Sequence, residues 1–151
     1  MGIAAYQTYL ESTRIPLRLA SRTESGWPIN LSMWFLYEDE ALYCATSNSA
    51  RIVRYLEKDP RCAFEVASDL PPYCGVRGQA EGGILPQRGA EILERLLQRY
   101  LGGSDNPLAV QLLEKSAEEV AIRLEPVTVH AWNFTDRMRA SLPSYEAKPC
   151  P

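Results

Sequence analysis

The run INLSMWFLY, Ile29 to Tyr37, carries apolar side chains at both of its alternating positions: Leu31, Met33 and Phe35 on one side, Trp34 and Leu36 beside Ser32 on the other. Period-two alternation predicts a strand, and two apolar faces predict one covered on both sides. Upstream, PLRLASRT alternates Leu17 and Leu19 against Arg18, and SGWP reads as a turn. Downstream, EDE makes a turn into ALYCATS, so residues 17–47 read as a three-stranded antiparallel meander.

Beyond Lys58 the alternation resumes in RCAFEVAS, in GVRGQAEGG and in the long run EEVAIRLEPVTVHAWNF. Pro126 interrupts the last of these; a residue without an N–H cannot donate to a ladder, which predicts a sheet edge or a bulge there. Residues 3–12 read as a short amphipathic helix or turn with Ile3, Tyr6 and Leu10 on one side. A helix is predicted from Pro86 to the Gly102-Gly103 stop, carrying Ile92, Leu93, Leu96, Leu97, Tyr100 and Leu101 at i, i+1, i+4, i+5 spacing. Another begins near Asp105-Asn106-Pro107 and is expected to bury Leu108, Leu112 and Leu113. The sum is a mainly β chain of about six antiparallel strands with short flanking helices. Curling into a barrel deals with the edges of such a sheet, with a sandwich as the other arrangement.

A chain of 151 residues that is 46% hydrophobic suits one domain, expected over residues 1–140, with a loose tail at 141–151. The formal charge of -3 argues against nucleic acid as a partner. There is neither an apolar run long enough to span a bilayer nor a basic-plus-apolar leader, so no membrane partner and a cytoplasmic location are expected. Cys44, Cys62, Cys74 and Cys150 show no metal-ligand spacing, and no metal is expected. Cys44 and Cys62, inside apolar strands, read as buried thiols of a reducing compartment. His130, the single histidine, reads as a structural residue before a catalytic base. Arg77 and Glu81 share a strand face and read as an exposed ladder pair.

Between two strand-like runs, SARIVRYLEKDPR at 49–61 changes period. Ile52, Val53 and Leu56 make an apolar helical face, with Arg51, Arg54 and Lys58 as a stripe beside it. Thr46, Ser47, Asn48 and Ser49 come immediately before. Arginines near a helix start oppose the helix dipole, and an anion held by guanidinium forks and free N–H groups offsets that cost. Two readings fit the spacing: an anion site, with phosphate the natural ligand, or solvated arginines pairing with Glu57 and Asp59.

Several short motifs recur in a fixed order: G-x-P at Gly26–Pro28, the apolar strand around Trp34-Phe35, LY-x-x-T at Leu42–Thr46 and L-x-x-DP at Leu56–Pro60. V-x-G-x-AE at Val76–Glu81 and P-x-x-V-x-x-W at Pro126–Trp132 follow. In this order, over residues 14–134, the chain resembles the pyridoxamine 5'-phosphate oxidase-like family of FMN-binding split β-barrels. The resemblance implies a six-stranded antiparallel split β-barrel and a homodimer with the cofactor in a cleft between subunits. It implies that Thr46, Ser47, Ser49 and Arg51 hold the FMN phosphate, with Arg54 close by. It further places the isoalloxazine along the second strand, on backbone groups of Ser32, Met33 and Trp34, and Trp132 near the ring edge or the dimer interface. Leu31 and Ile52 stand where pyridoxamine oxidases carry basic residues, and their C-terminal substrate signature is not found in AWNFTDRMRA. Pyridoxamine phosphate is therefore not the expected substrate, and a deazaflavin or haem remains open as the ligand. The implied activity is that of a flavin-dependent oxidoreductase on an unidentified small molecule, its catalytic residues unassigned. The alternatives are a flavin- or haem-binding or storage protein, or a cofactor-free dimeric scaffold.

Overall fold

The computed structural model describes residues 3–141 and Cys150. Its strands are β1 (Leu17–Arg22), β2 (Pro28–Met33), β3 (Leu36–Glu38), β4 (Ala41–Ser47), β5 (Arg61–Ala67), β6 (Cys74–Leu85) and β7 (Glu119–Asn133). They form one seven-stranded antiparallel sheet in the order β2-β1-β5-β6-β7-β4-β3.

The expectation of six strands is corrected by one break. The run Ile29–Tyr37 divides at Trp34-Phe35: β2 pairs only with β1, β3 only with β4, and these halves are the two edges of the sheet. Phe35 is fully buried, and its N–H donates to the Tyr100 hydroxyl at 3.3 Å instead of to a neighbouring strand. Because only two residues connect the opposite edges, the sheet has to curl until they meet. No ladder forms between the two edge strands, so the barrel is split and not closed.

The alternation read from the sequence survives the break. Leu31, Met33 and Phe35 face the main core, with Leu17, Leu19, Leu42, Phe64, Val66, Val76, Ile122 and Leu124. Helix α1 (Ile3–Ser12) adds Tyr9 and Leu10 to that core, and helix α2 (Arg51–Lys58) adds Ile52, Val53 and Leu56. The other face of the run is covered as well: Leu36, Ala41, Tyr43 and Ala121 pack on Ile92 and Leu96 of α3 (Gly89–Leu101). Trp34 stacks on Tyr100 of that helix with ring centroids 5.1 Å apart and planes 8° from parallel.

Arg99 joins these layers. It donates to the carbonyls of Leu10 at 3.0 Å, Glu11 at 2.6 Å and Thr13, and its guanidinium lies 5.3 Å from the Phe35 ring centre. The carbonyls at the end of α1 have no intrahelical donor, so a cation there satisfies them and complements the dipole.

Helix α4 (Pro107–Glu114) opens on Asn106, whose side chain accepts from the Ala109 N–H at 2.9 Å. Its buried face differs from the expectation. Ala109 packs against Leu93 and Leu97, Leu112 and Leu113 are half-buried, and Leu108 is 47% exposed. The small Ala109 lets α4 approach α3 closely, which turns the neighbouring Leu108 outward.

Pro126 lies at the expected irregularity. Gln79 faces Thr128 and Ala80 faces Pro126, so Val127 is an extra, unpaired residue. The Thr128 hydroxyl takes the Gln79 N–H at 3.1 Å. Pro126 is also past the last residue of β7 that pairs with β4, Leu124.

Cys44 and Cys62 are free and buried, as expected, and burial pushes the Cys62 thiol up to about 11. The spacing did not reveal that Cys74 and Cys150 are joined by a disulfide, with Cα atoms 5.8 Å apart. The tail expected at 141–151 otherwise lies outside the described residues, apart from Ser141.

Gly78, the glycine of V-x-G-x-AE, leaves no space for a side chain: a Cβ there would lie 2.0 Å from the Thr128 carbonyl oxygen and 2.9 Å from the Phe64 ring. Gly78→Ala is expected to destabilise by about 1–3 kcal/mol or more through overpacking. At Gly83 the nearest atom to a Cβ is 4.0 Å away, so Gly83→Ala serves as the tolerated control. Urea denaturation of both variants checks the difference.

Candidate functional site

The turn from β4 into α2 is built by its own polar groups. Thr46 and Ser47 pair in register with Val120 and Glu119, and the Asn48 N–H donates to the Glu118 carbonyl at 2.8 Å. The Ser47 and Ser49 hydroxyls are 2.9 Å apart, the Ser49 N–H donates to Ser47 Oγ at 3.3 Å, and the Ala50 N–H donates to the Ser47 carbonyl at 3.0 Å.

Ala50 is the N-cap of α2 and offers no side-chain oxygen, and the first turn contains no acidic residue. The leading N–H groups of the helix are thus left without the usual side-chain acceptor. Arg51 and Arg54 are exposed beside that turn. Neither forms an ion pair among the described residues. Asp59 is paired elsewhere: Arg61 takes both carboxylate oxygens at 2.9 Å, and Arg22 stands 3.7 Å away. Glu57 forms no ion pair among the described residues either, so the two arginines stand exposed to solvent without the carboxylate partners their spacing allows.

The opposite face of the helix holds Ile52, which stands where the resembled pyridoxamine oxidases carry a basic residue. Ile52 is 5% exposed in the main core, where a cation would be stranded without water or partner. The apolar face anchors the helix, and Arg51 and Arg54 are the exposed cations of its first turns.

The remaining expected residues lie on other elements. Ser32 is exposed on β2, and Met33 packs against the main core. The Trp34 side chain is committed to Tyr100 and the packing under α3, which leaves its backbone as the available part. As an edge strand, β2 directs the N–H and C=O groups not used by β1 outward.

Trp132 is half-buried opposite Gly75, in a tilted contact with Phe134 at 5.2 Å. Its indole N–H is buried without a hydrogen-bond partner. It sits near the far end of β7 from the Glu119 that faces Ser47, roughly 40 Å along the strand at about 3.3 Å per residue. Thr46, Ser47, Ser49, Arg51 and Arg54 are therefore gathered at one turn, whereas Trp132 is remote from them along the strand.

These side chains offer binding more than acid–base chemistry. His130 is exposed on β7 across from Arg77, and Arg77 and Glu81 share a face without forming an ion pair. Among the described residues no group of three or more His, Cys, Asp or Glu comes together. No described helix is long and apolar enough to cross a membrane.

No protein-family model and no curated protein matches the chain. Solved structures do. A conserved hypothetical protein, Rv2991 from Mycobacterium tuberculosis, is 20% identical with a TM-score of 0.76, over 99% of this chain and 93% of its own. An F420 reductase is 27% identical with a TM-score of 0.66, over 83% of this chain and 95% of its own. A pyridoxamine 5'-phosphate oxidase-like protein from Listeria innocua is 16% identical with a TM-score of 0.62, over 85% and 94%. At 17% and 15% identity, an FAD-binding protein from Mesorhizobium loti and the haem storage protein HutZ from Vibrio cholerae share the fold.

The Asp59 contacts carry a pH signature. Hydrogen bonds from Arg61 hold the Asp59 carboxyl down to about 2 in the folded protein. A carboxyl lowered on folding contributes stability that is complete above its unfolded value, near 4, and disappears as pH falls through about 2. Asp59→Asn is expected to lose that contribution at pH 7 and to show a shallower decline in urea midpoint between pH 5 and pH 2 than the parent protein. Equal slopes would remove the assigned role.

Proposed function

We propose that this chain, which has the fold of the pyridoxamine 5'-phosphate oxidase-like split β-barrels, is a cytoplasmic oxidoreductase. It binds a flavin-class cofactor and acts on a small molecule. The observation that carries the reading is the start of α2: an uncapped first turn, two flanking serine hydroxyls, and two arginines without a carboxylate partner among the described residues. Backbone N–H groups, hydroxyls and guanidinium forks are the donors that a terminal phosphate accepts from. In this reading Thr46, Ser47, Ser49 and Arg51 hold the phosphate and Arg54 neutralises it from the side.

The bound cofactor supplies the hydride or electron-pair chemistry. This chain's residues bind and orient it: the outward backbone groups of Ser32, Met33 and Trp34 along the edge of β2 meet the polar rim of the ring, and the Trp132 N–H is a donor in need of an acceptor. The distance along β7 between Trp132 and the phosphate turn is the reason to assign the cleft to two copies of the chain, one giving the phosphate turn and the other Trp132. Within the class, the 27% identity to an F420 reductase favours a deazaflavin over FMN. Haem is the less suited ligand, because the single imidazole, His130, is exposed across from a cation.

The absorption spectrum of the purified protein, and fluorescence titration with FMN and with a deazaflavin mononucleotide, test the reading. Binding of neither would overturn it, and binding without reduction by a nicotinamide or deazaflavin donor would leave a storage or sensing role in place of catalysis. Arg51→Ala is expected to weaken cofactor binding by about 1.5–3 kcal/mol, the loss of a charge-assisted hydrogen bond to phosphate. Its melting temperature should stay at the parent value, since the exposed side chain has no folded-state partner. Sedimentation at micromolar protein should give a dimer; a 17.0 kDa species would contradict the shared cleft.

A further inference from the structure

A cleft of about 680 Å³ opens between the end of α1 and the loop after β5. That volume falls within the roughly 300–1,000 Å³ of ordinary small-molecule sites. It shares no residue with the phosphate turn. Its walls include Ile15, Leu70, Pro71 and Pro72, and the Cys74–Cys150 disulfide forms one side. Arg14 and Asp69 stand exposed in its lining with opposite charges, and neither has an ion-pair partner among the described residues. Tyr9 also lines the cleft; it is 7% exposed, and its hydroxyl has no partner in hydrogen-bond geometry, although the Thr13 side chain is near.

We propose that this cleft binds a low-mass, peptide-like thiol bearing an ammonium and a carboxylate, which reduces the Cys74–Cys150 disulfide in its wall. The cation of Arg14 and the free Tyr9 O–H suit a carboxylate, and Asp69 suits an ammonium. The volume leaves space for a molecule of tripeptide size beside the sulfurs.

Burial decides which sulfur is attacked. Cys74 is 2% exposed, whereas Cys150 is half-buried. The incoming thiolate forms a bond to Cys150 Sγ, the S–S bond breaks, and Cys74 leaves as the thiolate. Ser68 Oγ accepts the Cys74 N–H at 3.2 Å and lies 4.0 Å from Cys74 Sγ; its own proton, directed at the Pro72 and Cys74 carbonyls at 3.4 Å, turns to the departing sulfur as the thiolate forms. A second thiol then attacks the mixed disulfide. Two thiols are oxidised to one disulfide, and their two protons end on Cys74 and Cys150.

The test follows reduction of the full-length oxidised protein by glutathione and, separately, by 2-mercaptoethanol, with alkylation and peptide mapping. The expected mixed disulfide with glutathione is on Cys150. An Arg14→Ala/Asp69→Asn variant should be reduced by glutathione roughly fivefold more slowly, the electrostatic share of encounter, with no change toward uncharged 2-mercaptoethanol. Tyr9→Phe, which alters no charge, should show the same selectivity in smaller degree, and melting curves establish that the variants are folded. Equal slowing of both thiols, or slowing of neither, overturns the binding site. A mixed disulfide on Cys74 overturns the direction of attack, and Cys74 and Cys150 found unlinked under air overturns the proposal as a whole.

Discussion

The connection of two sheet edges through Trp34 and Phe35 is the constraint on which the architecture depends. Their neighbours in sequence pair with strands at opposite ends of the sheet order, so a flat sheet is not available to this chain. Phe35 gives up its place in the ladder to be buried, and the Tyr100 hydroxyl satisfies the N–H this frees. A buried N–H left without an acceptor would cost about 1–3 kcal/mol, so α3 takes part in curling the sheet as well as covering it. Arg99, next to Tyr100, extends the same device to α1 through three carbonyl contacts.

The curl leaves the barrel's inner face to be filled from the short helices. Tyr9 and Leu10 of α1 and Ile52, Val53 and Leu56 of α2 all join the one core. Each helix then has a polar end held by a packed face. For α2 that end is the uncapped first turn with its arginines; for α1 it is the neighbourhood of Ser12, Thr13 and Arg14. Burial of the apolar stripe holds these ends in place, and in α2 it leaves Arg51 and Arg54 exposed.

Much of this was legible before any coordinates. Period-two runs located the strands, the change of period at Ser49 located α2, and Pro126 announced the bulge that leaves Val127 unpaired. The residues read as an anion site, Thr46, Ser47, Ser49, Arg51 and Arg54, are close in sequence, and a local turn suffices to bring them together. What stayed hidden needed partners distant in the chain. The division of Ile29–Tyr37 rests on Tyr100, and the outward turn of Leu108 rests on how Ala109 meets Leu93 and Leu97. Asp59 pairs with Arg61 instead of an α2 arginine, which spacing along the helix does not reveal.

By itself, then, the sequence determined the strands, the helices and the cationic helix start, because each follows from the periodicity or chemistry of adjacent residues. Only the tertiary structure decided the seventh strand, the bond between Cys74 and Cys150 and the cleft beside it. Each of these depends on which groups, far apart in the chain, compete for the same hydrogen bond, charge or buried space, and that competition exists only once the sheet has curled.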